Sequence, residues 1–547
     1  MRIALAQINT TVADFSGNLA LIRDVAARAR AAGAELAVFP EQTLGGYPAL
    51  DLWEDPDFLK AGERALQDLA RKTGQMGLIV GCVARNPRSV GKPIWNAAAL
   101  LHRGKVAALR GKCLLPTYDV FDERRYFEPA TANAPIRFRG LRIGLSICED
   151  SWYQTPGQPR LLYLEDPVMR QIRSGVDVLI NVSASPFERD KTALRERMLR
   201  RHARRAGRPF LYCNQVGGND DLIFDGNSLV FDGDGRVVAR GRPFREDMIV
   251  VDTEKLPAAA APYRLGDVAE VEAALVLGIH DYLRKCGQAK AFVGLSGGID
   301  SAVVAALAVK ALGPGAVTGV TMPSPYSCAT SVEDAQTLAR NLGIRLLQLP
   351  ITELYETYLR ALGRPFGEGE IGAAEQNIQA RIRGNLLMAL ANKEGGLLLS
   401  TGNKSELSVG YCTLYGDMCG GLAVIADVPK ATVYELARWI NREHPVIPQS
   451  SIDKAPSAEL KPGQKDQDDL PPYETLDAIL AAYVEKRQAR SRIARRGHSP
   501  KLVRDVLERI DRNEYKRRQA APSLKISPKA FGVGRRMPIA RGSGLDF

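Results

Sequence analysis

Cysteine and histidine are scarce in this chain, with eight of the first and five of the second among 547 residues. No two cysteines form a CxxC pair, which excludes a disulfide scaffold and a structural zinc site as organising features. An intracellular, reduced protein is expected. Long apolar runs are missing as well. The longest stretch without a charged side chain, Ala311 to Val332, is broken by Pro314, Pro323 and Pro325, so no membrane span is expected. The N-terminus, MRIALAQINTTVAD, offers a short apolar alternation and no small-residue cleavage site, so no secretory leader is expected and the cytoplasm is the expected location. What remains is ordinary globular composition, 45% apolar and 25% charged, long enough for two large domains or three smaller ones.

The net charge of +12 is concentrated. From Glu485 to the C-terminus there are 18 Lys and Arg against 6 Asp and Glu, while the preceding residues are balanced. A solvated basic helix is the plain reading of such a tail, and a phosphate-rich small substrate explains the same field as well as a nucleic-acid surface does.

Short apolar strands alternate with helices over the first 255 residues. RIALAQIN, ELAVFPE, GLIVGCVA, LRIGLSIC, DVLINVSAS and PFLYCNQV read as strands, and a helix is expected near Gly17 to Ala32. Hairpins are expected at Arg103-Gly104 and at Gly233 to Gly235. This mixture predicts α/β/β/α layering over residues 1–254. EKLPAAAAPY, around residues 255–264, reads as a linker. Beyond it, from 265 to 547, β-α-β repetition predicts a doubly wound parallel sheet, with AFVGLS and AVTGVTM as strands.

The strongest local signal in the second half is GLSGGIDS, comprising Gly294, Leu295, Ser296, Gly297, Gly298, Ile299, Asp300 and Ser301. Consecutive glycines between a strand and a helix bring backbone N–H groups close to an anion, and the helix N-terminus adds positive potential. The hydroxyls supply donors and Asp300 could hold a divalent metal. Three decoys compete. The same residues fit a GxSxG nucleophile elbow, but only His444 and His498 follow to complete a triad. GEGEIG, from Gly367 to Gly372, fits a dinucleotide fingerprint without a preceding strand. STGNKSE, from Ser400 to Glu406, approaches a Walker A motif, except that Asn403 separates its glycine from Lys404.

In the first half, Glu41 (in VFPEQ), Lys112 (in RGKCLLP) and Cys148 (in GLSICEDSW) each end a strand and could converge on one rim. Thiolate attack on an amide needs a sulfur, a base and an oxyanion stabiliser, and these residue types supply all three. The Glu149 backbone N–H is a candidate second oxyanion donor. Cys113, beside Lys112, is expected to point to the opposite face.

Two resemblances organise these motifs. SGGIDS resembles the loop of the N-type ATP pyrophosphatases. EQNIQARIRGNLLMALAN, STGNKSELSVGYCTLYGDM, DVPK, KPGQKDQDDLPPYE and NEYKRRQAAPSLKIS together resemble the NAD+ synthetases, in their glutamine-dependent form. The FPE, KxxLPxYxxFDExRYF and CEDxW contexts resemble the nitrilase/amidase superfamily, in the glutaminase branch fused to those synthetases. The resemblance implies a nitrilase-like α/β/β/α domain followed by a Rossmann-like synthetase. It implies a Glu41-Lys112-Cys148 triad assisted by Glu123, with Tyr118, Ser185 and Lys191 contacting glutamine. It further implies ATP on residues 294–301 and Thr401, deamido-NAD+ on Asn377, Glu406 and Lys516, and Mg2+ on Asp300 and Glu406. DQDDLPP is lid-like in composition. Glutamine, ATP and deamido-NAD+ are then the expected small-molecule partners, with a homo-oligomer expected and neither nucleic acid nor membrane. Another ATP pyrophosphatase, such as a GMP synthetase or a tRNA-thiolating enzyme, is the alternative, although no histidine accompanies Cys148 as a GMP-synthetase glutaminase would require.

Overall fold

Residues 1–154, 160–261, 263, 265–366 and 372–541 are described by the computed structural model, in which the chain divides between Leu265 and Gly266. The first unit is built on period-two alternation. In the strand Arg2–Gln7, Ile3 and Leu5 enter one apolar cluster while Ala4 and Ala6 enter another. Leu36 and Val38 separate from Ala37 in the same way, and Val178, Ile180 and Val182 from Leu179. Side chains on successive strand residues point to opposite faces, so each strand feeds two clusters at once.

Three apolar layers result. Between the two sheets lie Ile3, Leu5, Val38, Ile79, Ile143, Leu145, Ile180 and Leu211, all essentially inaccessible. On the outer face of the first sheet, helices Phe15–Ala31 and Pro56–Arg71 bury Ile22, Val25, Leu66 and Leu69. On the outer face of the second, helices Pro167–Arg173 and Lys191–Ala206 bury Val168, Met198 and Leu199. Each such side chain contributes roughly 1.5–3 kcal/mol relative to exposure. The α/β/β/α order expected from the sequence is the order found.

Each of the two packed sheets has six strands, and Val216–Asn219 and Leu222–Asp225 form a separate two-stranded ribbon. The first runs Asp247–Asp252, Arg2–Gln7, Leu36–Val38, Gly77–Arg85, Ile94–His102, Lys105–Gly111; the second runs Val237–Arg240, Leu229–Phe231, Phe210–Asn214, Val178–Ser183, Leu141–Ile147, Ile136–Phe138. The central strands are parallel, with Leu36 opposite Ile3 in the first sheet and Val178 opposite Ile143 in the second. Parallel strands end on the same side, so the segments that follow them share one rim. Both hairpins occur, and Arg103 and Gly104 take φ of 51° and 79° at the tip of the first.

In the second unit the sheet has five strands, all parallel, in the order Arg345–Gln348, Val317–Thr321, Ala291–Gly294, Leu397–Ser400, Leu422–Ala423. The two strands read from the sequence are neighbours within it, and Leu422–Ala423 at one edge has only two residues. Phe292, Val320 and Leu398 pack against Tyr355, Ile378 and Ile382 of the helices Thr352–Phe366 and Ala373–Glu394. The strand order reverses between Ala291–Gly294 and Leu397–Ser400, and ligands of open α/β sheets bind beyond the strand ends at such a switch point. GEGEIG lies, apart from Gly372, outside the described residues. No helix among the described residues is long and apolar enough to cross a membrane.

The basic tail is tied in by specific pairs. Arg517 and Arg535 both reach Glu514 at 2.9 Å and stack on Phe531 with their guanidinium carbons 4.6 and 5.5 Å from the ring centre. Asp427 accepts hydrogen bonds from the backbone N–H groups of Ile526 and Ser527 at 2.8 and 2.7 Å.

Candidate functional site

In the first unit the segments after three strands carry the sequence-selected residues to one rim. Glu41 follows Leu36–Val38, Lys112 follows Lys105–Gly111, and Cys148 opens the one-turn helix Cys148–Ser151 directly after Leu141–Ile147. The Lys112 ammonium, about 1% exposed, donates to Glu41 Oε1 and to Glu123 Oε1, both at 2.8 Å. Asn96 Nδ2 donates to Glu41 Oε1 at 2.7 Å, the Ala184 N–H to Glu41 Oε2 at 2.9 Å, and Tyr47 Oη to Glu123 Oε1 at 3.1 Å. Glu41 is thus held by three donors. Asn96 and Tyr47 were not singled out from the sequence, and an isolated Asn or Tyr in a strand or loop offers no signal that could have found them.

Cys148 takes φ of +38°, a left-handed turn that a non-glycine residue adopts at a cost of order 1–3 kcal/mol. Asp150 holds this turn. Its Oδ2 accepts from the Ile147 N–H at 3.0 Å, and its Oδ1 accepts from the N–H groups of Cys113 and Leu114, each at 2.9 Å. One buried carboxylate therefore joins the Cys148 turn to the Lys112 segment, and Cys113 contributes through its backbone. Asn181 supports the turn from below, donating to Ser151 Oγ at 2.9 Å.

The electrostatics follow from burial. Desolvation lifts the Cys148 thiol well above its ordinary pKa, Glu41 adds to the rise, and Lys112 opposes it. The resting sulfur is therefore a thiol that needs a base. Burial alone would depress the Lys112 ammonium, but Glu123 and Glu41 outweigh it and hold the lysine charged. Burial raises Glu123 despite Lys112, and Glu41 raises it further.

Tyr118 Oη donates to Glu149 at 3.0 and 2.9 Å, and Tyr163 Oη donates to the same carboxylate at 2.7 Å. Burial lifts Glu149 to about 7 against these hydrogen bonds. Ser185 is buried, its N–H donating to Asn214 Oδ1 at 2.9 Å. Lys191 Nζ donates to the Pro186 carbonyl at 3.0 Å and stands 5.7 Å from the centre of the Trp152 ring. Trp152 closes the one-turn helix that Cys148 begins.

In the second unit a cavity of about 490 Å³ opens at the strand ends. Of the sequence-selected residues, Gly294, Leu295, Ser296, Gly298, Ile299, Asp300, Ser301, Asn377, Thr401, Glu406 and Lys516 line it. Gly297 lies behind the lining, where its φ of +77° and the Ser331 carbonyl, 2.2 Å from where a Cβ would sit, admit only glycine. Ser301 Oγ donates to the Gly298 carbonyl at 3.0 Å, folding the loop over the first turn of the helix Ile299–Leu312. N–H groups and helix N-terminus together make an anion cradle.

Asp300 and Glu406 converge on a third residue that the sequence reading placed only within DVPK. Lys430 Nζ is paired with Asp300 Oδ2 and lies 3.1 Å from Glu406 Oε1. Burial opposes the Lys430 charge, yet Asp300 and Glu406 raise its pKa. Burial lifts Glu406 to about 7, with Lys430 pulling the other way. Two carboxylates beside a phosphate loop are hard oxygen donors of the kind Mg2+ takes together with substrate phosphates, so the donor set fits that ion. Among the described residues no group of three or more Asp, Glu, His or Cys is gathered as an all-protein metal cage.

One decoy stays a decoy, and one expectation changes. Lys404 of the Walker-like STGNKSE is buried against Glu485 and Ser527 at 2.7 Å and Asp427 at 3.0 Å, outside the cavity lining, so it is a structural counter-ion. The basic tail was read as a field for phosphates, but of its cations only Lys516 lines the cavity, and its ammonium donates to the carbonyls of Gly410 and Cys412 at 2.7 and 2.8 Å. Of the acidic DQDD segment, Asp466 is buried, taking the Tyr473 hydroxyl at 2.7 Å, and it lines the cavity with Asp469.

Residues 2–259 match the Carbon-nitrogen hydrolase family and residues 271–520 the NAD synthase family. The class so defined is an amide-cleaving nitrilase-type domain joined in one polypeptide to a nucleotide-dependent synthase. The chain is 48% identical over 548 residues to the glutamine-dependent NAD(+) synthetase of Synechocystis sp., covering 98% of each, and 42% identical to that of Thermotoga maritima, again over 98% of each. The structure of the glutamine-dependent NAD+ synthetase from Acinetobacter baumannii in complex with ADP superposes with a TM-score of 0.78 at 37% identity, covering 100% of this chain and 99% of that one. The chain belongs to the glutamine-dependent NAD+ synthetase family.

Proposed function

We propose that residues 1–254 form a glutaminase and residues 265–547 a synthetase that together amidate deamido-NAD+ to NAD+, with residues 255–264 as the linker. Glu41 takes the Cys148 proton and the sulfur attacks the glutamine amide carbon. Lys112 and the Glu149 N–H stabilise the oxyanion, and ammonia leaves with the transferred proton. Water then releases glutamate from the thioester, with Glu41 again as base. Glu123 keeps Lys112 charged and in place. Tyr118, Ser185 and Lys191 hold the amino-acid head of glutamine.

In the second unit the loop 294–301 and Thr401 hold ATP, while Asn377, Glu406 and Lys516 hold deamido-NAD+. The nicotinate carboxylate attacks the α-phosphorus, pyrophosphate departs, and ammonia displaces AMP from the acyl carbon. Asp300 and Glu406 would hold Mg2+, which supplies charge neutralisation on the departing pyrophosphate. Lys430 lies against both carboxylates and orients them. We assign the enzyme to the cytoplasm and to a homo-oligomer, with no nucleic-acid or membrane partner.

The observation that carries this reading is the pairing, in one chain, of a buried thiol with a carboxylate–ammonium cluster and of a glycine-rich strand-to-helix loop opening into a cavity of about 490 Å³. Incubation with deamido-NAD+, ATP, Mg2+ and amide-labelled glutamine tests it. Label in the carboxamide of the dinucleotide, with AMP and pyrophosphate as by-products, is expected. Unlabelled product, or ADP with orthophosphate, refutes it.

A further inference from the structure

The cavity holds a cation that none of the roles above uses. Arg383 lies on the helix Ala373–Glu394, on the face that also presents Gln376, Ala380 and Leu387 to the cavity. Its Nε donates to the Met322 carbonyl at 3.0 Å, and among the described residues this is its one hydrogen bond. Glu459, the carboxylate that acts on it through space, is committed elsewhere, accepting from the Ser331 hydroxyl at 2.5 Å and the Cys328 N–H at 3.1 Å. Burial draws the guanidinium down to about 10, with Glu459 opposing. A half-buried guanidinium held by one neutral carbonyl leaves its terminal nitrogens open to an anion in the cavity. The two terminal nitrogens form a planar fork that matches phosphate oxygens.

Position selects which phosphate. Met322 directly follows the strand Val317–Thr321, where Val320 pairs with Gly294 and its carbonyl receives the Leu295 N–H at 2.8 Å. Leu387, one turn beyond Arg383, comes within 3.1 Å of where a Gly294 Cβ would be. Arg383 therefore stands over the entry to the 294–301 loop. Asn377 and Lys516, assigned to the dinucleotide, are tied instead to Thr413 and to the carbonyls of Gly410 and Cys412.

We propose that Arg383 binds a phosphate of ATP through its terminal nitrogens and so sets the affinity of the synthetase for its nucleotide. This rests on the synthetase reading above. Lys and Met are both good helix formers, so Arg383→Lys and Arg383→Met preserve the helix. Ammonia-dependent NAD+ formation by the full chain is measured for each. The expected result is a KM for ATP raised at least tenfold in Arg383→Met and less in Arg383→Lys, with KM for deamido-NAD+ within twofold of wild type. An ATP KM within twofold, or an increase confined to deamido-NAD+, overturns the proposal.

Wild-type protein supplies the check that needs no variant. Modification of Arg383 by phenylglyoxal, followed by peptide mass analysis, should slow at least tenfold with saturating ADP, and an unchanged rate overturns the proposal. Failure of the wild-type enzyme to form NAD+ from ammonia would instead overturn the underlying synthetase reading.

Discussion

Replacing Lys112 by Met removes the single cation that Glu41 and Glu123 share. Both carboxylates are about 1–2% exposed, and the two lie within reach of the same ammonium at 2.8 Å. Breaking a buried ion pair by deleting one partner costs about 3–5 kcal/mol, because an uncompensated charge stays behind. The first unit relieves this by protonation. Glu123 is already raised by burial and by Glu41 with Lys112 holding it down, so loss of the lysine drives a proton onto the pair. Asn96 Nδ2 only donates to the two carboxylates, and without the ammonium Glu41 loses the contact that positions it as the base. Loss of one oxyanion donor removes about 10²–10³ in rate, and impaired general-base action removes about 10²–10⁴. Glutaminase turnover of Lys112→Met should therefore fall by at least about 10³. Glutamate release is measured beside ammonia-dependent NAD+ formation as an internal control for the second unit. Glutaminase activity within tenfold of wild type would refute the assignment of Lys112 to charge balance and oxyanion stabilisation.

Cys148→Ala should abolish use of glutamine while ammonia still supports NAD+ formation; loss of both in a folded protein contradicts two separable sites. Asp300→Ala should stop NAD+ formation with either nitrogen source, measured by dinucleotide product, and normal turnover would remove Asp300 from the nucleotide site. Stability should depend on pH through Glu149, whose folded pKa of about 7 lies above the usual carboxylate value of 4.5. An acid raised on folding binds more protons in the native state between those values, so its contribution to stability is lost as pH rises from about 4.5 to 7. Denaturation midpoints of wild type and Glu149→Gln should accordingly separate between pH 5 and pH 8, with the variant gaining. A constant difference across that range contradicts the shift.

Local sequence determined a good deal. Alternation in RIALAQ and DVLINVS assigns each side chain to one of two faces, and apolar residues on both, Ile3 and Leu5 against Ala4 and Ala6, predict a sheet buried on both sides. Consecutive glycines in GLSGGIDS announce a tight turn wherever the strand and helix flank it. The ends of the short strands Arg345–Gln348 and Leu422–Ala423 carry no comparable signal, because the first is half exposed and the second has only two residues.

The sites are another matter. Lys430 meets Asp300 across 130 positions, Ala184 meets Glu41 across 143, and Asp150 meets Cys113 across 37. Lysine, alanine and aspartate are common residues, and nothing in their neighbourhood of sequence announces a distant partner. Charge counting located the excess in the tail but could not say that Arg517 and Arg535 would be spent on Glu514 and Phe531, leaving Lys516 as the one tail cation in the cavity lining. Periodicity acts over a few residues and is written into the chain directly. Pairing of buried charges depends on which strand ends the topology brings to one rim, and only the folded chain decides that.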